Sequence, residues 1–285
     1  SLYFLTQDNK LVRIKSITKV PYSGKIWDVD VPNDIILVKR DGSREAYWSG
    51  NSNPSGKEQK IPYWIEQCNL SASDIAIFWI KVPFLENNTN TTVYLYYGNP
   101  SVESESNETA VFEFFDDFEG TSLNTSKWDI DSGSPTVSGG WLELQGAIVS
   151  SKFTYLYGAM RAKVDVIDAS WWDIVGVNNG AGDLLSYRRR ISGGEWHEIC
   201  NENTVSDNSL TMITGIHIVE HTWLPNEAKL YRNNNLESTL TTNVPDEAGY
   251  VEFISGDTNP LLRVDWVFVR KYTSPEPSVG VGAEE

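Results

Sequence analysis

The chain has 285 residues and a formal net charge of −16 at pH 7, which is enough length for about two domains with a sizeable core. Its acidic side chains are scattered along the sequence, which argues against nonspecific binding to nucleic acid, and no apolar run is long enough to insert into a membrane. With only two cysteines, Cys68 and Cys200, the chain can build neither a disulfide framework nor a zinc cluster. Because the two lie in different predicted domains, we expect two unpaired thiols; the alternative is a single bridge between them.

The first predicted segment, residues 1–51, ends at a residue pair with the chemistry of a splice junction. Residues 22–32, 35–42 and 48–52 resemble the C-terminal part of an intein. The resemblance implies that the Asn51 amide attacks its own backbone carbonyl and that the Ser52 hydroxyl accepts an upstream segment by ester exchange. Gly50 stands where inteins usually have histidine, and the opening nucleophile is absent. We expect a remnant that reacts only with a supplied N-terminal half, or else an ordinary β-hairpin.

The second predicted segment, residues 52–112, is a small β domain. Its β-branched and aromatic runs at 61–66, 78–83 and 94–100 predict strands. These runs resemble a prokaryotic surface-protein family, domain of unknown function 2341, which commonly precedes a jelly roll, and here it would lack its first strands. Five Asn-x-Ser/Thr sequons, at Asn69, Asn87, Asn90, Asn107 and Asn124, predict a sugar-coated face and an extracellular or cell-surface location.

The third predicted segment, residues 113–272, is an all-β sandwich, followed by a linker over 273–285. Many short apolar runs alternate with turn residues, which is typical of antiparallel sandwiches; residues 141–149 and 210–219 are two of the predicted strands. The motifs at 115–120 with 126–128, at 157–163 and at 264–269 resemble the opening, second-strand and closing motifs of concanavalin A-like lectin/glucanase domains. The resemblance implies a jelly roll, and we expect further segments of a longer protein upstream and downstream.

The jelly-roll resemblance also implies a structural calcium ion. Its ligands would be an acid of the opening motif, the backbone carbonyl beside Gly158, and Asp265 of the closing strand. Asp116, Asp117 and Glu119 are all candidates for the opening acid. Calcium takes six to eight oxygen ligands, so further carbonyls or waters would complete the shell. The alternative is that these acids cap turns and face solvent.

Two motifs that could carry catalysis are incomplete. Glucanases of this fold place acids as Glu-x-Asp-x-x-Glu or Glu-x-Asp-x-Glu on one strand, but residues 195–202 have His197 at the aspartate position and no second acid at either spacing from Glu195. Residues 217–221 have the letters His-x-x-Glu-His, which bind zinc only on a helix, and the surrounding residues predict a strand. Both observations argue against an enzyme.

The remaining candidates for ligand binding are Trp171, Trp172, Tyr187 and Arg188. Aromatic rings that stack on sugars, beside side chains that bond hydroxyls, would form a glycan groove. We therefore predict a non-catalytic module of an exported surface protein that binds glycans or other surface proteins. The alternatives are a structural stalk or filament module with no small ligand, and a glycoside hydrolase.

Overall fold

The computed structural model describes residues 3–6, 11–13, 35–38, 47–50, 60–69, 75–85, 90–96, 101, 103–167, 173–190, 194–256 and 262–281. The chain divides into two compact units, Ser1–Ile61 and Pro62–Glu285. The first unit contains four antiparallel strands, β1 (Tyr3–Thr6), β2 (Leu11–Arg13), β3 (Ile35–Val38) and β4 (Tyr47–Gly50). They form one sheet in the order β2-β1-β4-β3. The predicted junction Asn51–Ser52 directly follows β4 and lies outside the described residues, so splicing stays a prediction.

The second unit starts with a hairpin and a single helical turn. The hairpin strands are β5 (Tyr63–Asn69) and β6 (Ile75–Ile80), which pair with each other, and the helix is α1 (Glu108–Val111). The Asn107 side chain caps this helix by accepting a hydrogen bond from the Ala110 backbone N–H. No helix within the described ranges is long and apolar enough to cross a bilayer.

Two large antiparallel sheets make up the rest of this unit. The first has eight strands: β7 (Phe114–Asp116), β9 (Thr136–Ser138), β10 (Trp141–Leu144), β12 (Gly158–Val166), β17 (Gly215–Leu224), β18 (Glu227–Arg232), β19 (Asn235–Leu240) and β21 (Leu262–Arg270). Its order is β19-β18-β17-β12-β21-β10-β9, and β7 also pairs with β21. The opening motif, in β7, and the closing motif, in β21, are therefore adjacent, and backbone hydrogen bonds join them.

The second sheet has seven strands: β8 (Trp128–Ser132), β11 (Ala147–Tyr155), β13 (Asp173–Asn178), β14 (Leu184–Arg190), β15 (Gly194–Asn201), β16 (Thr204–Leu210) and β20 (Gly249–Ser255). Its order is β16-β15-β14-β13-β20-β11-β8. This arrangement confirms the predicted all-β jelly-roll sandwich. The predicted strand 141–149 is broken in two by Gly146, whose φ of +59° suits a turn.

The core of the sandwich lies between the two sheets because alternate residues of a strand face opposite sides. Along β12, Met160, Ala162 and Val164 are fully buried members of the core. Trp128 and Trp223 are the largest fully buried side chains, and each large apolar group removed from water contributes roughly 1.5–3 kcal/mol.

A second, aromatic core joins the hairpin to the outer face of the eight-stranded sheet. The Trp64 ring lies 5.2 Å from that of Phe115 and 5.4 Å from that of Trp266, edge to face. Phe268 stacks on Phe112 at 3.9 Å. Such pairs contribute about 0.5–1.5 kcal/mol each beyond the burial of their area. The predicted boundary between residues 112 and 113 therefore falls inside one compact unit.

Beside this aromatic core, buried charges link the hairpin to the sheet. Arg161 on β12 donates to both carboxylate oxygens of Glu66 on β5, at 2.8 and 3.2 Å, and to Glu220 on β17 at 2.7 Å. The Trp79 indole donates to Glu66 at 2.6 Å, and Arg270 donates to the second oxygen of Glu220 at 2.7 Å. The side chains of Arg161 and Glu66 are 4% and 2% exposed, so the buried Glu66 carboxylate depends on Arg161 for its compensating positive charge.

Candidate functional site

An open pocket lies on the outward face of the seven-stranded sheet, away from the core. Its volume is about 310 Å³, and it is lined by side chains from β13, β14, β15, β16 and β20 and from the loop between β13 and β14. We call it the sheet pocket. Its lining residues are Ile174, Asn178, Gly182, Asp183, Leu184, Arg188, Glu198, Cys200, Val205, Glu252 and Ile254.

The floor of the sheet pocket follows one row of residues that runs straight across the sheet. Glu198 on β15 pairs with Ser186 on β14, Ser186 pairs with Gly176 on β13, and Gly176 pairs with Glu252 on β20. The two glutamates therefore face the same side, and the two positions between them carry only a hydroxymethyl group and a hydrogen. The row therefore contributes Glu198 and Glu252 to the pocket lining, with little side-chain bulk between them.

Glu252 is buried at one side of this floor, with 5% of its surface exposed. Its Oε2 accepts a hydrogen bond from Asn178 Nδ2 at 2.9 Å, while Oε1 has no partner among the described residues. Burial raises the pKa of Glu252, and the nearby charge of Asp131 raises it further, against the opposing effect of the Asn178 bond. Glu252 therefore presents one open carboxyl oxygen to the pocket.

Glu198, at the other side of the floor, is bound to Arg188. The Arg188 guanidinium on β14 donates to Glu198 Oε1 in a close ion pair, and the Glu198 side chain is 3% exposed. A buried carboxylate needs such a partner because burial alone disfavours its charged form. The pair places a fixed donor and a fixed acceptor in the pocket wall.

Other titratable groups at the pocket respond to a negative environment. Burial raises the pKa of the Cys200 thiol, and the charges of Asp183 and Glu198 add to the increase. Burial likewise raises the pKa of Tyr250, with contributions from Glu252 and Asp131. Burial is the main cause of both shifts, a backbone hydrogen bond from Asn203 opposes the shift at Cys200, and the nearby acids add to both increases.

The four residues predicted to bind glycans do not share one location. Arg188 lines the sheet pocket, and its role in ligand binding stays a prediction. Tyr187 was predicted for the same groove, and this is wrong: it is 2% exposed, packs in the core between the sheets, and has the Arg232 guanidinium over its ring. Neighbours on a strand face opposite sides, so only one of the two could line a groove. Trp171 and Trp172 lie outside the described residues.

Glu195, the glutamate that a glucanase motif would need, also faces the interior. It is fully buried, and its Oε2 accepts a hydrogen bond from Arg232 Nη1 on β18 at 2.6 Å. Because Glu195 and Glu198 are three positions apart on one strand, they lie on opposite faces of the sheet. A glycosidase reaction on this face would have to use the acids that line the pocket, Asp183, Glu198 and Glu252, and not Glu195.

The residues of the His-x-x-Glu-His motif lie on strand β17, as predicted, and do not converge. Glu220 accepts hydrogen bonds from Arg161 and Arg270 on the outer face, whereas His221 Nε2 donates to the Val175 carbonyl, 3.1 Å away in the core. The His197 and His221 rings lie 5.7 Å apart between the sheets. Within the described part of the chain, no group of three or more His, Cys, Asp or Glu side chains could hold a metal ion.

The residues predicted to bind calcium do not come together. On the paired strands β12 and β21, Ala159 lies opposite Arg270 and Lys163 opposite Trp266. Gly158 and Asp265 are therefore separated by about six residues, or about 20 Å. Asp265 instead forms an ion pair with Lys163 at 2.5 Å.

Two of the three opening acids accept hydrogen bonds within the chain. Asp116 points to the core and accepts hydrogen bonds from the Trp128 indole at 2.8 Å and the Phe118 N–H at 3.0 Å. Asp117 accepts one from the Glu119 N–H at 3.4 Å, which is turn capping. The alternative of turn capping therefore describes Asp117, whereas Asp116 is buried, and calcium binding stays a prediction.

Replacing Asp116 tests whether the opening motif is held by side-chain hydrogen bonds. In Asp116→Ala the buried Trp128 indole N–H loses its acceptor, so we expect the free energy of unfolding to fall by about 1–3 kcal/mol. Urea unfolding should give the same loss with and without EDTA, and Asp117→Ala should stay within about 0.5 kcal/mol of the parent protein. A cation held by Asp116 would instead make EDTA destabilise the parent protein and leave Asp116→Ala unchanged.

Sequence reasoning missed Glu252, Asn178 and the pocket role of Glu198. Asn178 belongs to a turn-like Asn-Asn-Gly sequence, and Glu252 lies within an apolar strand sequence, Tyr-Val-Glu-Phe-Ile. The sequence offered one signal for Glu252. A glutamate between apolar neighbours on a strand faces the side of the sheet opposite to the core, where a ligand can reach it.

Comparison with protein families supports one of the resemblances. Residues 53–131 match the model of a domain of unknown function (DUF2341), which confirms the predicted similarity of the hairpin segment. The matched stretch covers well under half of the chain and includes β5, β6, α1, β7 and most of β8. The similarity of residues 1–51 to an intein stays a prediction. A comparison with curated protein sequences finds no match.

Solved structures similar to this chain include three glycoside-cleaving proteins. A glycosyl hydrolase family protein from Mycobacterium fortuitum is 17% identical with a TM-score of 0.49, over 55% of this chain and 99% of the other. A β-1,3-1,4-glucanase (lichenase) derived from a mouse hindgut metagenome is 11% identical with a TM-score of 0.49, over 56% and 99%. The Bacillus licheniformis β-glucanase is 16% identical with a TM-score of 0.46, over 56% and 98%. Similarity at this level carries no conclusion about activity.

Proposed function

We propose that the sheet pocket binds a carbohydrate chain and that the protein is a non-catalytic binding module of an exported surface protein. The observation that supports this is the mixed lining of the pocket. Arg188 and Asn178 supply N–H donors, Glu198 and Glu252 supply acceptors, and Ile174 and Ile254 supply apolar walls. Sugars present hydroxyl groups beside apolar C–H faces, so they match such a lining.

The size and setting of the pocket fit this proposal. Its volume of about 310 Å³ is at the lower end of the range of ligand pockets, roughly 300–1,000 Å³. Ile174, Leu184 and Ile254 give the pocket apolar walls, against which the C–H face of a sugar can pack. The floor is preformed by backbone pairing and buried ion pairs, so little order has to be gained on binding.

Glycoside hydrolysis is less well supported by the same geometry. Cleavage requires two carboxyl groups about 5 Å apart for retention, or about 6.5–9.5 Å apart for inversion. Three strand spacings separate the backbones of Glu198 and Glu252, or about 14 Å, so their carboxyl groups reach these distances only if both side chains lean toward each other across the sheet. In addition, the Glu198 charge is compensated by Arg188. Binding without cleavage is therefore the better supported function.

A variant that fills the pocket tests the proposal. Val205 lines the pocket and is 50% exposed, so Val205→Trp adds bulk there without opening the core. We expect glycans that bind the parent protein on an array to lose at least about tenfold in affinity, as measured by calorimetry. Leu236→Trp is the matched control, because Leu236 is 54% exposed and lies on β19 of the other sheet.

Three outcomes would count against the proposal. Equal affinity of Val205→Trp and the parent protein would move the binding site elsewhere. Silence across the glycan array would favour the structural stalk. Release of reducing sugar from a polysaccharide panel, abolished in Glu252→Gln, would show a hydrolase.

A further inference from the structure

We propose that the sheet pocket selects sugars that carry a free amino group, with the ligand ammonium bound at Glu252. This inference rests on the proposed carbohydrate binding and specifies its substrate class. It follows from the balance of charge in the pocket, from an open carboxyl oxygen on Glu252, and from an unsatisfied oxygen on Asp183.

The charge balance of the pocket favours a cationic ligand. Among the described lining residues, three are acids, Asp183, Glu198 and Glu252, and one is a base, Arg188. Arg188 is bound to Glu198, which leaves Asp183 and Glu252 without a cationic partner in the pocket. Asp131 adds a further negative charge close to Glu252 and Tyr250. A ligand ammonium would supply the missing positive charge.

The hydrogen bonds around Glu252 and Asp183 also favour a cationic ligand. Glu252 uses Oε2 to bind Asn178 and keeps Oε1 without a partner among the described residues. Asp183 is 5% exposed, its Oδ1 accepts a hydrogen bond from the Glu202 N–H at 2.9 Å, and its Oδ2 is buried with no partner in the described structure. A buried acceptor without a donor is costly, so a cation nearby would be strongly favoured.

Glu252 and Asp183 lie close enough to act on one ligand. Asp183 directly precedes Leu184, which pairs with Asn178, the residue that binds Glu252. The Asn179 N–H also donates to the Asp183 carbonyl at 3.2 Å. Glu252 would contact the ammonium directly, while the negative charge of Asp183 acts from beneath the pocket wall.

An ammonium group suits this site better than a metal ion does. Calcium needs six to eight oxygen ligands, whereas no three metal-ligating side chains converge within the described residues. An ammonium needs only one to three acceptors and can bond sugar hydroxyls at the same time. A charge-assisted bond to a carboxylate is about twice as strong as a neutral one, which is enough to discriminate between an amine and its acetylated form.

Calorimetry with three β-1,4-linked tetramers tests the inference, namely glucosamine, N-acetylglucosamine and glucose. At pH 6 we expect the glucosamine tetramer to bind at least about tenfold more tightly than the N-acetylated one. In Glu252→Gln this ratio should fall to about one, and in Asp183→Asn it should fall part of the way. Glu227→Gln, on β18 of the other sheet, removes the same charge and should keep the ratio.

The outcomes separate this inference from the proposed function. Neutral tetramers that bind as tightly as glucosamine would overturn the amino-sugar preference and leave carbohydrate binding intact. If none of the tetramers binds, both proposals fall. Binding of calcium chloride alone at micromolar concentration, lost in Glu252→Gln, would identify a metal site and overturn the ammonium assignment.

Discussion

Replacement of Arg161 by methionine is expected to lower the free energy of unfolding by about 3–5 kcal/mol. The substitution leaves Glu66 with only the Trp79 indole as a donor, while its side chain stays almost fully buried. An uncompensated buried charge is the reason for the large effect, since the ion pair itself contributes little compared with its desolvation. Chemical denaturation followed by tryptophan fluorescence would measure the loss.

A double variant distinguishes the buried charge from the loss of packing. In Glu66→Leu/Arg161→Met both charges are gone and Glu220 keeps Arg270, so the part of the loss due to the unpaired charge should return, while the Trp79 indole N–H, now without its acceptor, still costs about 1–3 kcal/mol. Lys152→Met is the control, because its ion pair with Asp129 is at the surface and is worth about 0–1 kcal/mol. A double variant as unstable as Arg161→Met would show that packing of the guanidinium, not charge, holds the hairpin.

Acid is expected to destabilise the sandwich through two buried histidines. Burial lowers the pKa of His197 to about 3, with a further decrease from His221. Burial also lowers the pKa of His221 to about 4, against the opposing effect of its bond to the Val175 carbonyl. In the unfolded chain both groups titrate near 6.5, so below that pH the unfolded state binds up to two protons that the folded state excludes.

The sign of the effect follows from this difference in bound protons. Stability due to the neutral histidines is complete above about pH 6.5 and is lost as the pH falls toward 4. Two protons correspond to a change in the free energy of unfolding of up to about 2.7 kcal/mol per pH unit. Urea unfolding between pH 6 and pH 4.5 would measure this slope. Glu252 contributes in the opposite direction, because its raised pKa lets the folded state bind a proton first.

Variants assign the slope to the two rings. His197→Gln keeps a polar group near Ser238, which lies 2.8 Å from His197 Nδ1, and should reduce the slope by about 1.4 kcal/mol per pH unit. His197→Gln/His221→Gln should remove nearly all of it. If the double variant keeps the slope of the parent protein, the acid sensitivity comes from carboxylates and not from the histidines.

The sequence predicts the fold class well, because the pattern of short apolar runs and turns depends on local physics. It predicts single boundaries less well. The predicted strand 210–219 covers the end of β16 and the start of β17, since Met212 and Ile213 are apolar but lie in the connection. Residues 204–210 form a strand although they are mostly polar, because β16 is an edge strand with one face in solvent.

The candidate site could be predicted only in part. Alternation shows that Tyr187 and Arg188 face opposite sides, but it does not say which side is the core. The pocket also combines β15, β14, β13 and β20, and β20 follows the others by about 50 residues in the sequence. The pairing of Gly176 with Glu252 is a long-range contact that no local pattern encodes, so Glu252 could not be linked to Glu198 beforehand.

The aromatic core beneath the hairpin has a consequence for how this segment can be inherited. The matched family region ends at residue 131 and so includes β7 and most of β8, one strand from each sheet. Its Trp64 packs on Trp266, which is encoded some 200 residues later. A recombination event that moved residues 53–131 alone would leave both partners with exposed aromatic surface. The segment should therefore pass between genes only together with a sandwich that carries complementary rings on its outer face.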